Sequence, residues 1–311
     1  MNKNFWIKIT GLYASILTIM MVLFEFFFLG YAFDIKVKII ISISFFFFII
    51  VLLYLLYSYW KEKFIRIALL GDIACGKTFF IAVLFDYLQA YQNPKYDIYP
   101  WGKQTLNRIL KFSDYLKSKR RLDPTSMDSN EQMEGKAQKK KTILRKKIHF
   151  EMIDSSGEEF VRIAKNESAY LFHETTFFDR YVLKSECVFL MISVDFIWDQ
   201  KYETKFENMV NKYIIAVQII AENNTIKKSR NSLALIISKS DLLALYNVSE
   251  EQTLIKIEKL INVIKKRFDR NEFFFVSSIK QETLDSYDYF SILPKDIEKP
   301  IIWCLEKLKR H

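Results

Sequence analysis

The sequence predicts an α/β protein: an N-terminal two-helix transmembrane hairpin, then a domain with a mostly parallel sheet covered by helices. Three observations predict it. Two long apolar runs open the chain, and from residue 64 onward short apolar strands alternate with helical stretches. A G-x-x-x-x-G-K-T loop joins the first of those strands to the first helix.

The apolar runs come first. Ile9 to Phe33 is nearly unbroken, and Ile39 to Tyr59 holds Phe45-Phe46-Phe47-Phe48-Ile49-Ile50 at its heart. At about 1.5 Å per residue each makes a helix of roughly 30 Å or more, enough to span a hydrocarbon core. Only Asp34 to Lys38 separates them, so they pair as a tight hairpin over residues 1–60. A secretory leader is the rival, since Lys3 and Lys8 give a basic start; the length of the first run and the second span after it argue against that. Glu25 falls inside the first span, where an ionised carboxylate costs about 2.5 kcal/mol or more. It reads either as a contact with a partner helix or as a position near the outer interface. Lys3, Lys8, Lys61, Lys63 and Arg66 against Lys36 and Lys38 mildly favour the cytoplasmic side for both ends of the hairpin.

Residues 61–311 then read as one cytoplasmic domain. Phe64–Leu70 is a buried strand, Gly71-Asp72-Ile73-Ala74-Cys75-Gly76-Lys77-Thr78 the loop, and 77–91 a helix. Asn93-Pro94 breaks the pattern, and Trp101–Leu116 reads as a second helix. The stretch 117–147 is polar and charged, an insertion expected to be loop to about Lys141. Strands follow at Ile148–Ile153, Cys187–Val194, Leu233–Ile237 and Phe273–Val276. Helices are expected at Glu158–Glu186, Tyr202–Glu222, Glu250–Arg270 and Ile297–Lys309. The three cysteines, Cys75, Cys187 and Cys304, are scattered and odd in number, which fits a reducing compartment, and the three histidines form no zinc pattern.

Chemistry concentrates at strand ends. A loop between strand and helix offers consecutive backbone N–H groups to phosphate oxygens. Gly71 and Gly76 allow the tight turn, Lys77 supplies a point charge to the outer phosphates, and the Thr78 hydroxyl suits Mg²⁺. Asp154-Ser155-Ser156-Gly157 ends the next strand. Its Asp154 is placed to hold Mg²⁺ through water, and the Gly157 N–H to sense a terminal phosphate. Ser238-Lys239-Ser240-Asp241 follows another strand. A carboxylate there accepts the N1–H and exocyclic amine of guanine, while the Lys239 stem lies along the base. The plain alternative makes Asp241 an N-cap. Val276-Ser277-Ser278 closes the last strand, where Ser277 and Ser278 let backbone reach a base carbonyl.

In this order, these elements resemble the P-loop GTPases of the translation-factor and Ras-like (TRAFAC) class, over about residues 64–311. Within it the chain is similar to bacterial membrane-tethered and double-GTPase-like proteins, and to the beta subunit of the signal-recognition-particle receptor. The resemblance implies GTP and GDP as ligands, Mg²⁺ as cofactor, and Thr125 of Leu122-Asp123-Pro124-Thr125 as a first-switch Mg²⁺ ligand, with Thr142 its rival. It also implies a switch with an effector or activator protein, at the inner membrane of a bacterium. Two residues depart from the pattern. Ser238 stands where the class carries Asn or Thr, and Glu158 where Ras-like members carry the water-orienting Gln. A carboxylate there repels the γ-phosphate unless it faces away, so Lys77, Thr125 and Glu158 are the catalytic candidates of a slow or partner-dependent hydrolase.

Other readings remain open. A pseudo-GTPase receptor or scaffold draws support from Glu158. An ATP-using P-loop enzyme would make the Ser238–Asp241 match accidental, and a transport component would put the work in the hairpin. Net charge is +10, from 46 basic and 36 acidic residues, concentrated in 117–147. A basic patch beside a membrane anchor suits the anionic leaflet, or is simply solvated; the lack of interleaved aromatics disfavours nucleic acid. The hairpin predicts that the full chain resists carbonate extraction from membranes and that a reporter after His311 lies in the cytoplasm. A reporter found outside would break the topology.

Overall fold

A computed structural model describes residues 46–47, 49–50, 63–117, 131–140, 147–165, 181–226, 232–281 and 290–307. The chain divides into two units, Met1–Lys61 and Glu62–His311. In the first, the four described residues are helical; otherwise the expected spans 9–33 and 39–59 lie outside the described residues. Among the described residues no helix is long and apolar enough to cross a membrane.

The second unit is built on a seven-stranded sheet. In chain order its strands are β1 (Lys63–Gly71), β2 (Tyr96–Trp101), β3 (Glu131–Lys139), β4 (Lys147–Asp154), β5 (Cys187–Ser193), β6 (Ser232–Ser238) and β7 (Asn271–Phe275). The spatial order is β2-β3-β4-β1-β5-β6-β7. β4, β1, β5, β6 and β7 pair in parallel, while β3 runs antiparallel to both its neighbours. Two-residue strands β8 (Lys280–Gln281) and β9 (Phe290–Ser291) pair separately. The helices are α1 (Lys77–Ala90), α2 (Lys103–Lys117), α3 (Gly157–Ala164), α4 (Val194–Trp198), α5 (Phe206–Ile226), α6 (Leu242–Leu245), α7 (Glu250–Lys256), α8 (Glu258–Arg267) and α9 (Lys299–Lys307).

A parallel sheet must be covered on both faces, because its crossovers lie there. The sequence meets this with near-continuous apolar strands: every residue of β5 and β6 is buried. On one face Ile65, Ile67 and Leu69 pack in a core with α1, α2 and α9. On the other Ala68 and Leu70 pack in a core with α3, α5 and α8. α7 opens on a capping box between Ser249 and Gln252, and the single helix expected over Glu250–Arg270 is interrupted at Ile257.

One strand goes unannounced in the sequence reading and another contradicts it. β2 begins just after the Asn93-Pro94 break: Asn93 Oδ1 accepts from the amides of Lys95 and Tyr96, turning the chain into a strand. β3 lies inside the stretch expected to be loop. Its inward residues are Met133, Gly135 and Ala137, and its charged ones alternate outward. With one large apolar side chain it carries almost no hydrophobic signal. A Cβ at Gly135 would fall within the Phe150 ring, so the β4 side chain fills the space a larger β3 residue would have announced.

β3 also changes the account of the basic insertion. Lys136 Nζ sits 3.8 Å from the centre of the Trp101 ring and Lys140 pairs with Asp97 at 3.0 Å. Two of the insertion's lysines thus meet groups on β2.

Candidate functional site

The parallel strands β1, β4, β5, β6 and β7 all end on the same edge of the sheet, and Gly71–Thr78, Asp154–Gly157, Ser238–Asp241 and Val276–Ser278 lie there. That edge is where loops with exposed amides gather in an open α/β sheet. β1 and β4 are adjacent, with Leu69 opposite Asp154. β5 and β6 end level, with Ser193 opposite Ser238.

The phosphate loop runs from Gly71, which ends β1, to the start of α1. Ala74 and Gly76 adopt positive φ of 64° and 87°, so the loop turns through the left-handed region twice. Gly71 serves a different purpose from the turn expected of it. A Cβ there would lie 2.5 Å from Met191 O on β5 and 2.7 Å from Cys75 Sγ. Its bareness lets the sheet and the loop close on each other. Lys77 is buried, and its ammonium donates to Gly71 O at 2.8 Å and Asp72 O at 3.0 Å. Asp72 Oδ1 accepts from Ile73 N at 2.7 Å. Burial pushes the Cys75 thiol above its ordinary value against the opposing pull of Lys77, so at neutral pH it stays a thiol.

Thr78 Oγ1 donates to Asp154 Oδ2 at 2.8 Å, although 76 residues separate the two. A hydroxyl and a carboxylate meeting beside a phosphate loop form a hard-oxygen set that fits Mg²⁺. Ser155 Oγ ties the end of β4 to Leu69 O at 2.7 Å. Ser156 caps α3, its side chain accepting from Glu159 N. Gly157 then begins the helix against the phosphate loop: a Cβ there would lie 2.6 Å from Ile73 N and Cα. Glu158 is exposed in the first turn of α3, where a negative charge also favours the helix dipole.

The departure at Ser238 is answered by geometry. Ser238 is buried, and its Oγ donates to Cys75 O at 2.7 Å, joining the end of β6 to the phosphate loop. The shorter side chain therefore does bridge. Asp241 stands at the N-cap position of α6, but its φ of −59° and ψ of −30° are helical and its side chain makes no capping hydrogen bond. Instead Asp241 Oδ1 accepts from Ser277 Oγ at 2.8 Å, and Ser277 Oγ also contacts Ile279 O. Ser240 N donates to Val276 O, so the segments after β6 and β7 are locked together. Ser278 lies half-buried in that second segment. Lys239 takes a positive φ of 57°. Thr125 and Thr142 lie outside the described residues.

Two contributors carried no motif. Tyr213 of α5 is fully buried; its hydroxyl accepts from Asp72 N at 3.2 Å and donates to Met191 O at 2.7 Å. Burial pushes that hydroxyl well above its ordinary value, so it stays protonated and able to donate. Asp195, just past β5, receives Lys239 Nζ at 2.6 Å. In sequence each is one polar group in an apolar stretch, which signals a satisfied buried residue as readily as a site.

No protein-family model matches the sequence. No curated protein matches it either. Among solved structures, the chain is similar to the GTPase-like domain of Ski7 from S. cerevisiae, bound to GDP and inorganic phosphate. Identity there is 16%, over 72% of this chain and 45% of that one, at a TM-score of 0.43. It is also similar to Sup35 complexed with GDP, at 13% identity over 70% of this chain and 38% of that one, with a TM-score of 0.33. The chain thus spans less than half the length of either protein.

Removing the Ser238 hydroxyl leaves the buried Cys75 carbonyl without that donor, a loss of about 1–3 kcal/mol. Ser238→Ala is therefore expected to lower the urea unfolding midpoint. An unchanged midpoint would show that the bond contributes nothing to holding the loop.

Proposed function

We propose that this chain is a membrane-tethered GTP-binding protein, a nucleotide-dependent switch whose GTP hydrolysis is slow or partner-stimulated. The observation that carries the reading is the bond from Ser238 to Cys75 O. It joins a base-reading sequence to a phosphate-reading one across 163 residues of chain. A chance match at either motif would not require the other to be beside it. In this reading the loop amides and Lys77 hold the phosphates, the Asp241 carboxylate accepts from the guanine edge, and Ser277 fixes that carboxylate in place. Thr78 and Asp154 would hold Mg²⁺, which supplies charge neutralisation to the phosphates when bound.

The α3 start supports a switch. Gly157 lies against Ile73 of the loop with no room for a side chain, so a phosphate-dependent shift at one is felt at the other. The tether rests on the apolar runs 9–33 and 39–59; we propose a cytoplasmic placement for the domain from the basic residues that flank those runs and from its need for nucleotide. An effector or activating protein completes the proposal.

Nucleotide selectivity tests the guanine assignment. A ligand that binds only the folded state at about 100 times its dissociation constant adds roughly 2.7 kcal/mol of stability. The detergent-solubilised chain is expected to melt higher with GDP or GTP plus Mg²⁺, and far less so with ATP. Asp241→Asn should shift the preference toward xanthine nucleotides, because the exocyclic donor becomes an acceptor. Equal shifts with ATP and GTP would remove the guanine reading.

Glu158 tests the slow hydrolysis. Because its side chain is exposed in α3, Glu158→Gln should leave nucleotide affinity nearly unchanged and preserve or raise the basal rate. An added catalytic group can raise hydrolysis by about 10³–10⁵ in this chemistry, so the wild-type rate has room to grow. A fast wild-type rate abolished by Glu158→Gln would make Glu158 a catalytic base and this a self-sufficient enzyme.

A further inference from the structure

The sequence assigns Lys239 the flat face of the base but offers nothing to hold that side chain there. A lysine stem has four rotatable bonds, and ordering it against a ligand costs conformational entropy. The structure orders it beforehand. On one side of Lys239 the Ser238 hydroxyl is bonded to Cys75 O; on the other, Ser240 N is bonded to Val276 O. Between these two anchors the backbone holds a left-handed conformation, φ 57°, that a non-glycine residue seldom adopts.

The far end of the side chain is fixed as well. Lys239 Nζ lies 2.6 Å from Asp195 Oδ2, and the two side chains keep only 22% and 10% of their exposure. The other Asp195 oxygen accepts from Phe196 N at 3.0 Å, so the carboxylate is itself held. Asp195 reaches this place because β5 and β6 are neighbours ending level, Ser193 opposite Ser238, and it stands two residues past the end of β5. A charge-assisted bond this short, largely out of water, is among the stronger kinds of contact available to a lysine.

We propose that Asp195 is a positioning residue: it holds the Lys239 ammonium so that the lysine stem is presented as a preformed wall for a purine base. This rests on the guanine-nucleotide reading and adds to it a residue outside all four motifs. The role has a particular signature. Asp241 reads the base edge, where guanine and hypoxanthine differ by the 2-amino group; a wall under the base meets the same ring face in both. Loss of Asp195 should therefore weaken guanine and hypoxanthine nucleotides alike, and should act only through Lys239.

The experiment is a double-mutant cycle on the full chain in detergent, with dissociation constants measured for GDP and IDP plus Mg²⁺. Asp195→Ala is expected to weaken both by about tenfold, the scale of ordering one lysine side chain, with the GDP-to-IDP ratio unchanged. Lys239→Ala should cost a similar factor, and the double variant no more than Lys239→Ala alone. Asp195→Asn keeps an acceptor for the Phe196 amide and guards against a folding defect; it should show the same coupling. Losses that multiply in the double variants, GDP binding by Asp195→Ala equal to wild type, or a changed GDP-to-IDP ratio would each overturn the role. Failure of the wild-type chain to bind GDP would instead remove the guanine reading, and this inference with it.

Discussion

The phosphate loop is packed from two sides with no space for a single extra carbon. At Gly71 the backbone lies against Met191 O of β5, and at Gly157 the start of α3 lies against Ile73. Overpacking of this kind commonly costs about 1–3 kcal/mol when side chains can move aside, and here the obstructing atoms include main chain. These contacts fix β1 between β4 and β5 and bring their carboxyl ends together. Thr78 reaches Asp154 and Ser238 reaches Cys75 only because that edge is so closely drawn in.

A second group of residues turns close packing into defined geometry. The Tyr213 hydroxyl stands between Asp72 N and Met191 O, tying the loop to the β5 carbonyl on which Gly71 also rests. Its ring lies 4.7 Å from that of Phe160, on the helix that begins at Gly157. The loop and α3 are thus joined directly at Ile73 and again through Tyr213. Asp195 does comparable work past β5 by holding Lys239. Neither residue belongs to one of the sequence motifs.

The sheet is wider than its apolar strands alone would make it. β2 and β3 extend it beyond β4, and β3 does so with Met133, Gly135 and Ala137 as its inward residues. Such a strand is held by its ladder to two neighbours and by the Phe150 ring beneath it, rather than by its own hydrophobicity. Two of the insertion's charges, Lys136 over Trp101 and Lys140 beside Asp97, are then placed on the outward side of that addition.

What the sequence determined by itself was whatever is encoded locally. The central strands were legible because fully buried parallel strands must be apolar throughout, as Cys187–Ser193 and Ser232–Ser238 are. The phosphate loop was legible because its chemistry needs fixed residue types at fixed spacing. Tertiary structure decided the rest, since each remaining feature depends on a distant partner. β3 is a strand because β2 and β4 offer it hydrogen bonds, Asp241 faces Ser277 rather than capping its own helix, and Gly71 is bare because of a carbonyl 120 residues away along the chain. A single position in a sequence cannot announce a contact whose other half lies on another strand; the sheet has to form before the two meet.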